Sequence, residues 1–155
     1  MTSNIKIIKI NSEISSIILN EPKTYNSLSF KNLNDLLKSL KKLDADNKVK
    51  VIIIEGAGKG FNADHNLKEV RGLKKRDRYQ KLFNLCSKVM LQIVEGRKPV
   101  IAKVHGAAFA AGCQLVASCD LAYSTKDALF ATPGVNIGLF CSTPMVAVSR
   151  KINRK

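Results

Sequence analysis

Two stretches of this chain combine residue types that serve chemistry. The first is HGAAFAAGCQLVASCD, residues 105–120. It leaves an apolar β run (KPVIAKVHG, 98–106), crosses a turn of small residues (AAFA), and opens a helical pattern at AGCQL. A helix that begins in such a turn aims backbone N–H groups into the space above the sheet. The positive end of its dipole and those free donors suit a developing oxyanion or a phosphate. Small side chains let a ligand approach the backbone closely. Tight helix–sheet packing wants small residues for the same reason, so this stretch alone admits both readings. Gln114 places an amide inside the apolar helical pattern. It has no titratable proton at neutral pH, but it can orient a water or a carbonyl, or cap nearby backbone.

The second stretch is GAGKGFNADHNLKEV, residues 56–70. It also leaves a β run through a Gly-rich turn, and two such turns could each supply one N–H to the same oxygen. It is neither a P-loop, because no Gly-Lys-Ser/Thr opens a helix, nor a GxGxxG fingerprint. His65 is a candidate base by residue type, although its backbone rather than its imidazole is the favoured reading, and His105, at the strand end before Gly106, reads as a packed turn residue rather than a base. The cysteines at 86, 113, 119 and 141 form no CxxC and have no His at metal-ligand spacing. They read as reduced, buried thiols without a basic partner in sequence, so neither a zinc site nor a disulfide framework is expected.

The elements that must hold these turns follow from periodicity. IKIIKI (5–10) and ISSIILN (14–20) read as a hairpin, and 20–29 as a loop. Ser29 is a helix N-cap. Leu33, Leu36, Leu37, Leu40 and Leu43 follow at helical spacing. VKVIIIEG (49–56) reads as a strand buried on both faces. Residues 67–80 read as a charged helix or ordered loop and 80–95 as a helix. Pro99 opens a second buried strand at a position where Pro is tolerated. A helix is expected over 110–119, short strands at LAYST and ALFAT, a loop at PGVNIGLFCSTP, and a last helix opened by Thr143-Pro144 as N-cap and first residue. The alternation makes the chain α/β with right-handed crossovers.

The length of 155 residues suits one domain with a real core. No apolar run reaches membrane-spanning length. The N-terminus reads as strands rather than a secretory signal, and it has no Arg for a transit peptide, which suggests a cytoplasmic setting with a mitochondrial one as the alternative. Twenty-six Lys and Arg against twelve Asp and Glu give +14. That could attract an anionic partner, although the excess is mostly Lys, and a biased gene composition also produces it.

The stretches LNEPKTYNSLS, VKVIIIEGAGKGFNADHNLKE and KPVIAKVHGAAFAAGCQLVASCDLAYSTKDALFATPGVNIGLF resemble the crotonase (enoyl-CoA hydratase/isomerase) superfamily, in the family's order and over nearly the whole chain. Within it, NADHNLKE, AAGCQLVASCD and FATPGVNIGLFCSTP look most like the enoyl-CoA hydratase domain-containing protein three group. The resemblance implies a repeated ββα spiral whose cleft binds an acyl-CoA. It places the two oxyanion N–H donors at His65 and Ala111, and the coenzyme A nucleotide near Lys23, Tyr25, Ala63, Asp64, His65 and Leu67. It implies no metal and no permanently bound cofactor; the coenzyme A thioester enters as substrate. It also implies C-terminal helices that close the acyl pocket and build trimers or hexamers. Residues 1–155 would then be an acyl-CoA-binding core truncated before that block.

The departures bear on the reaction. Family hydratases carry one Glu in the helix after the second oxyanion turn and another after the F-x-x-P strand, as general acid and base. Here those positions hold Gln114 and Gly134, which makes two-Glu water addition improbable. Asp64 stands where a Gly is usual, and a carboxylate there could repel developing negative charge or serve as an unusual base. Asn66 replaces a usual Asp. The leading expectation is an acyl-CoA enzyme of lyase or isomerase type with an atypical catalytic set. The alternative is a pseudoenzyme that keeps the cleft. A third reading comes from a family member that binds AU-rich RNA through a Lys-rich first helix. Lys31, Lys38 and Lys42 share a helical face, but with no interleaved aromatic an ordinary solvated face is favoured and a nucleic-acid partner is not.

Overall fold

The computed structural model describes residues 4–152. Strands β1 (Ile5–Lys9) and β2 (Ile14–Leu19) form the expected hairpin, with Ile5 opposite Leu19. Helix α1 (Phe30–Ala45) follows, then β3 (Val51–Gly56) and β4 (Asn62–Ala63). Helices α2 (Leu67–Gly72) and α3 (Arg76–Val94) lead into β5 (Val100–Val104) and β6 (Ala107–Phe109). Then come α4 (Ala111–Ser118), β7 (Leu121–Ser124), β8 (Leu129–Ala131) and α5 (Ser142–Lys151).

The strands divide between two sheets. One has the order β1-β2-β3-β5-β7, parallel from β2 onward; the other is parallel, with the order β4-β6-β8. Each step of the chain lays one strand in each sheet and then a helix: β3-β4 before α2 and α3, β5-β6 before α4, β7-β8 before α5. This is a ββα spiral. Even the first unit obeys it, because β2 precedes α1 and Leu28 between them makes an isolated bridge to His65 beside β4.

The core lies on one face of the larger sheet. Ile17, Ile54 and Ala102 are register partners and fully buried. Helices α1 and α3 pack on each other, and Leu33, Leu36, Leu40, Val89 and Ile93 join those strands in one cluster. Each fully buried aliphatic side chain contributes about 2 kcal/mol of apolar burial. The Ser29 hydroxyl accepts the Asn32 N–H at 3.1 Å, so the N-cap is real. Of the five leucines, only Leu37 is half-buried.

Four expectations are corrected. Strand β3 is not buried on both faces: Ile52 and Ile54 are buried, whereas Val51 and Ile53 are half-buried. The opposite face carries a polar set instead, in which the Ser16 hydroxyl donates to Glu55 at 2.6 Å and Lys103 pairs with Glu55 at 2.9 Å. The charged stretch at 67–80 is two helices broken at Lys74, whose φ is +52°, so α3 begins at Arg76. The segment Pro133–Ile137 is a 3-10 turn rather than an open loop. Finally, α5 begins at Ser142 with Cys141 as N-cap, not at Thr143-Pro144. Thr143 is therefore free to point its hydroxyl across to α4.

Candidate active site

Strands β4 and β6 are parallel neighbours, with Asn62 opposite Ala108 and Ala63 opposite Phe109. That pairing brings the two turns together. Asp64, His65, Leu67, Ala111, Gln114 and Gly134 all line one cavity of about 420 Å3. Its size lies in the range of small-molecule sites. Lys23, Tyr25 and Ala63 do not line it. Lys23 and Tyr25 are exposed on the 3-10 turn beside it, and the Tyr25 carbonyl accepts the N–H of Ala63, in β4, at 3.0 Å.

Two buried asparagines position the first turn. Asn26 donates to the carbonyl oxygens of Ala57, Gly60 and Phe61 at 2.8, 2.9 and 3.2 Å. Asn62 donates to the Asn26 carbonyl, and its Oδ1 accepts the Asp64 N–H at 3.1 Å. The Leu28 N–H donates to the Asp64 carbonyl at 2.8 Å, and the Leu28 carbonyl accepts the Asn66 N–H. With its neighbours so engaged, the His65 N–H meets no acceptor among the described residues. The imidazole is occupied otherwise. Its Nδ1 lies 3.2 Å from the Leu28 carbonyl, and its ring meets Phe83 edge-on at 5.3 Å. This turn presents a backbone donor and uses the histidine ring to hold itself.

The second turn works through closeness. A Cβ on Gly112 would collide with the Asn62 carbonyl oxygen, so only glycine lets α4 start against β4. Ala110 has φ +46° and no side chain able to cap α4. Ala111 is 2% exposed, and its N–H is taken by the Asp64 carboxylate at 3.3 Å. Asp64 itself has φ +92°, a backbone region that glycine occupies without strain and aspartate tolerates at a cost.

The remaining polar groups are fixed too. Gln114 is buried, and its Oε1 accepts the Thr143 hydroxyl at 3.2 Å. A Cβ on Gly134 would stand 2.7 Å from the Cys141 sulfur and 2.8 Å from the Leu139 carbonyl. There is no room for a larger residue without movement of that segment. Burial, and secondarily the charge of Asp64, pushes the Cys86 thiol up to about 12. Burial does the same to Cys119, with Asp120 adding to it, and raises Cys113. These thiols stay protonated and are poor nucleophiles. The Asp120 carboxylate accepts the Val100 N–H at 2.8 Å, a structural role. His105 points at the Gly58 carbonyl at 2.8 Å. Among the described residues no three His, Cys, Asp or Glu side chains converge to hold a metal, and no helix is long and apolar enough to cross a membrane.

The contacts that Asn26, Asn62, Phe83, Cys141 and Thr143 make around the site are not legible in the sequence. Nothing in the pattern distinguishes a buried Asn that knits loops from an exposed turn Asn. Phe83 lies within the helix expected over 80–95, but its spacing does not show that its ring meets His65. Thr143 reads as a helix cap in the sequence and instead donates its hydroxyl to Gln114 in the structure.

The chain matches the enoyl-CoA hydratase/isomerase family model over residues 9–155. It is 50% identical over 143 residues to human "Enoyl-CoA hydratase domain-containing protein 3, mitochondrial", covering 92% of this chain and 47% of that protein. The zebrafish (Danio rerio) protein of the same name is 44% identical over 155 residues, 99% of this chain and 53% of its own. The crystal structure of the human protein superposes with a TM-score of 0.90 at 46% identity, covering 95% of this chain and 58% of that one. A Mycobacterium smegmatis enoyl-CoA hydratase superposes at 0.93, also at 46% identity, over 97% and 58%. The chain thus spans about half the length of the curated relatives it matches. The mitochondrial names of these relatives do not support the cytoplasmic setting that the N-terminal residues suggested. Spiral, paired turns and relatives agree: the chain belongs to the enoyl-CoA hydratase/isomerase family and has the crotonase fold.

Proposed function

We propose that the cavity between the two turns binds an acyl-CoA in fatty-acyl metabolism, the thioester oxygen accepting the His65 and Ala111 N–H groups. The observation that supports this is the β4–β6 pairing, which brings His65 and Ala111, distant in sequence, to the lining of one cavity. Negative charge gathers on a thioester oxygen as an enolate forms, and donors fixed before the reaction favour that state over the ground state. Leu67 and the 63–65 segment would border the coenzyme A moiety, with Lys23 and Tyr25 on the neighbouring loop toward its phosphates.

Water addition by two glutamates is not the reaction proposed. Gln114 offers an amide already engaged with Thr143, and the space at Gly134 is bounded by Cys141 and Leu139. An isomerase-type proton shift or another lyase step fits the residues better. A pseudoenzyme that binds acyl-CoA without turning it over is the second reading, favoured by the same crowding at Gly134. The RNA reading is weaker: Lys31 is engaged with Asp35 at 2.8 Å, which takes one cation out of the row. The relatives' names favour a mitochondrial setting. Assembly into a trimer or hexamer would cover apolar residues exposed here, among them Leu129, Ile137 and Phe140.

Calorimetric titration with crotonyl-CoA and its 3′-dephospho form tests the binding claim. Weaker binding without the phosphate is expected, and no heat from folded protein sinks the reading. Product analysis with several acyl-CoAs separates enzyme from pseudoenzyme.

A further inference from the structure

The chemistry proposed above has no use for Asp64, yet the fold takes trouble to place it. Its N–H is bound by Asn62 Oδ1 and its carbonyl by the Leu28 N–H, so the backbone is held from both sides. Held this way it keeps φ at +92°. Strain of that kind persists only where the surroundings impose it. The result is a carboxylate directed at the first residue of α4. Oδ1 accepts the Ala111 N–H at 3.3 Å, and Ala110 supplies no competing cap. A helix N-terminus favours a negative charge at this spot. The Cys86 thiol, on α3, senses the same charge: after burial, Asp64 is what raises it.

We propose that Asp64 is an internal ligand of the thioester site, a carboxylate of the chain itself that occupies the Ala111 donor and has to be displaced before an acyl oxygen can use it. This rests on the acyl-CoA reading and deepens it. A thioester carbonyl is a neutral, weak acceptor and competes poorly with a carboxylate for one N–H. In the resting protein the acyl carbonyl therefore adds little to the affinity contributed by coenzyme A. Should the oxygen enter, the displaced carboxylate stays beside it and opposes the negative charge of an enolate. Asp64 would thus determine which acyl thioesters the site retains and how readily they form an enolate.

The test uses the whole chain and the variants Asp64→Gly and Asp64→Asn, with crotonyl-CoA and free coenzyme A as probes. In the unaltered protein the two probes should bind within about threefold of each other. Asp64→Gly should tighten crotonyl-CoA by about tenfold or more relative to coenzyme A, a change of about 1.4 kcal/mol in the difference between the two probes, whatever loss of the charge does to coenzyme A itself. Asp64→Asn keeps the size and an acceptor oxygen without the charge, and Asn tolerates positive φ. It should lie between the other two and guards against a glycine variant that fails to fold. The Ala111 amide proton, followed by NMR without ligand, should move upfield in Asp64→Gly. An unmoved Ala111 resonance overturns the proposal outright. If coenzyme A binds but crotonyl-CoA gains nothing in either variant, the displacement claim falls while the acyl-CoA reading stands. If coenzyme A binds to none of the three proteins, the acyl-CoA reading fails, and a shifted Ala111 resonance then marks Asp64 as a helix cap and no more.

Discussion

The two turns that meet at the cavity are built in opposite ways. The turn leading to His65 is held by side chains: Asn26 and Asn62 donate to carbonyl groups, and the His65 ring leans on Leu28 and Phe83. The turn leading to Ala111 is held by the lack of them, with Gly112 pressed against the Asn62 backbone. One costs buried polar groups that must all find partners; the other costs the conformational freedom of small residues. Both end at a residue that lines the cavity, His65 in one and Ala111 in the other. The difference shows in what each tolerates. A side-chain-built turn fails when a hydrogen bond is lost, and a stripped turn fails when an atom is added.

Adding the atom should do the greatest damage. Gly112→Ala improves helix propensity by about 1 kcal/mol, but the new methyl meets backbone that cannot step aside. A net loss of about 2–3 kcal/mol is expected in urea unfolding. Stability equal to or above the parent would mean that the two turns are not in contact as described. Next comes Asn62→Ala, which leaves the Asn26 carbonyl and the Asp64 N–H without partners and should cost about 2 kcal/mol. It should also loosen the His65 turn, seen as faster exchange of the Leu28 and Asn66 amides, while the amides of α4 stay protected.

A smaller effect is expected where the turns hand over to α5. Thr143→Val keeps the shape and removes the donor to Gln114, for a loss of about 1 kcal/mol. If unfolding is unchanged, the amide has another partner or none. The smallest effect lies on the far face of the sheet. Burial alone would raise the Glu55 carboxyl, but hydrogen bonds from Ser16 and Lys103, with the Lys103 charge, bring it below its usual 4.5. A carboxyl lowered on folding stabilises above its unfolded value, and that contribution disappears as pH falls through the folded value. Lys103 is raised above its usual 10.5, first by its hydrogen bond to Glu55. Its share is complete below that value and is lost as pH rises past the folded one. Since Lys103 is half-exposed, the pair is worth at most about 1 kcal/mol. Glu55→Gln should remove a small part of the stability difference between about pH 6 and pH 3. A difference as steep in the variant as in the parent would assign it elsewhere.

Much of the fold was legible from local pattern. The leucine spacing of α1, the Ser29 cap, the hairpin and the strand–turn–helix at 100–118 all follow from short-range rules, and the family resemblance ordered them into a spiral. The errors have a common cause. Val51 and Ile53 read as buried because β-branched runs usually are, but the face they share carries Ser16, Glu55 and Lys103, a pairing visible only once register is known. Arg76 starts α3 because Lys74 takes a positive φ, and no residue type there announces it.

The candidate site divides along the same line. The two turns and Gln114 could be read from residue type and spacing, which are properties of the chain alone, and the family resemblance singled out His65, Ala111, Gly134 and Asp64. What they touch could not. The Asp64 carboxylate on the Ala111 N–H, the Thr143 hydroxyl on Gln114 and the Cys141 sulfur against Gly134 are long-range contacts. They depend on the β4–β6 register and on the point where α5 begins, quantities that many weak interactions settle together and no local stretch encodes.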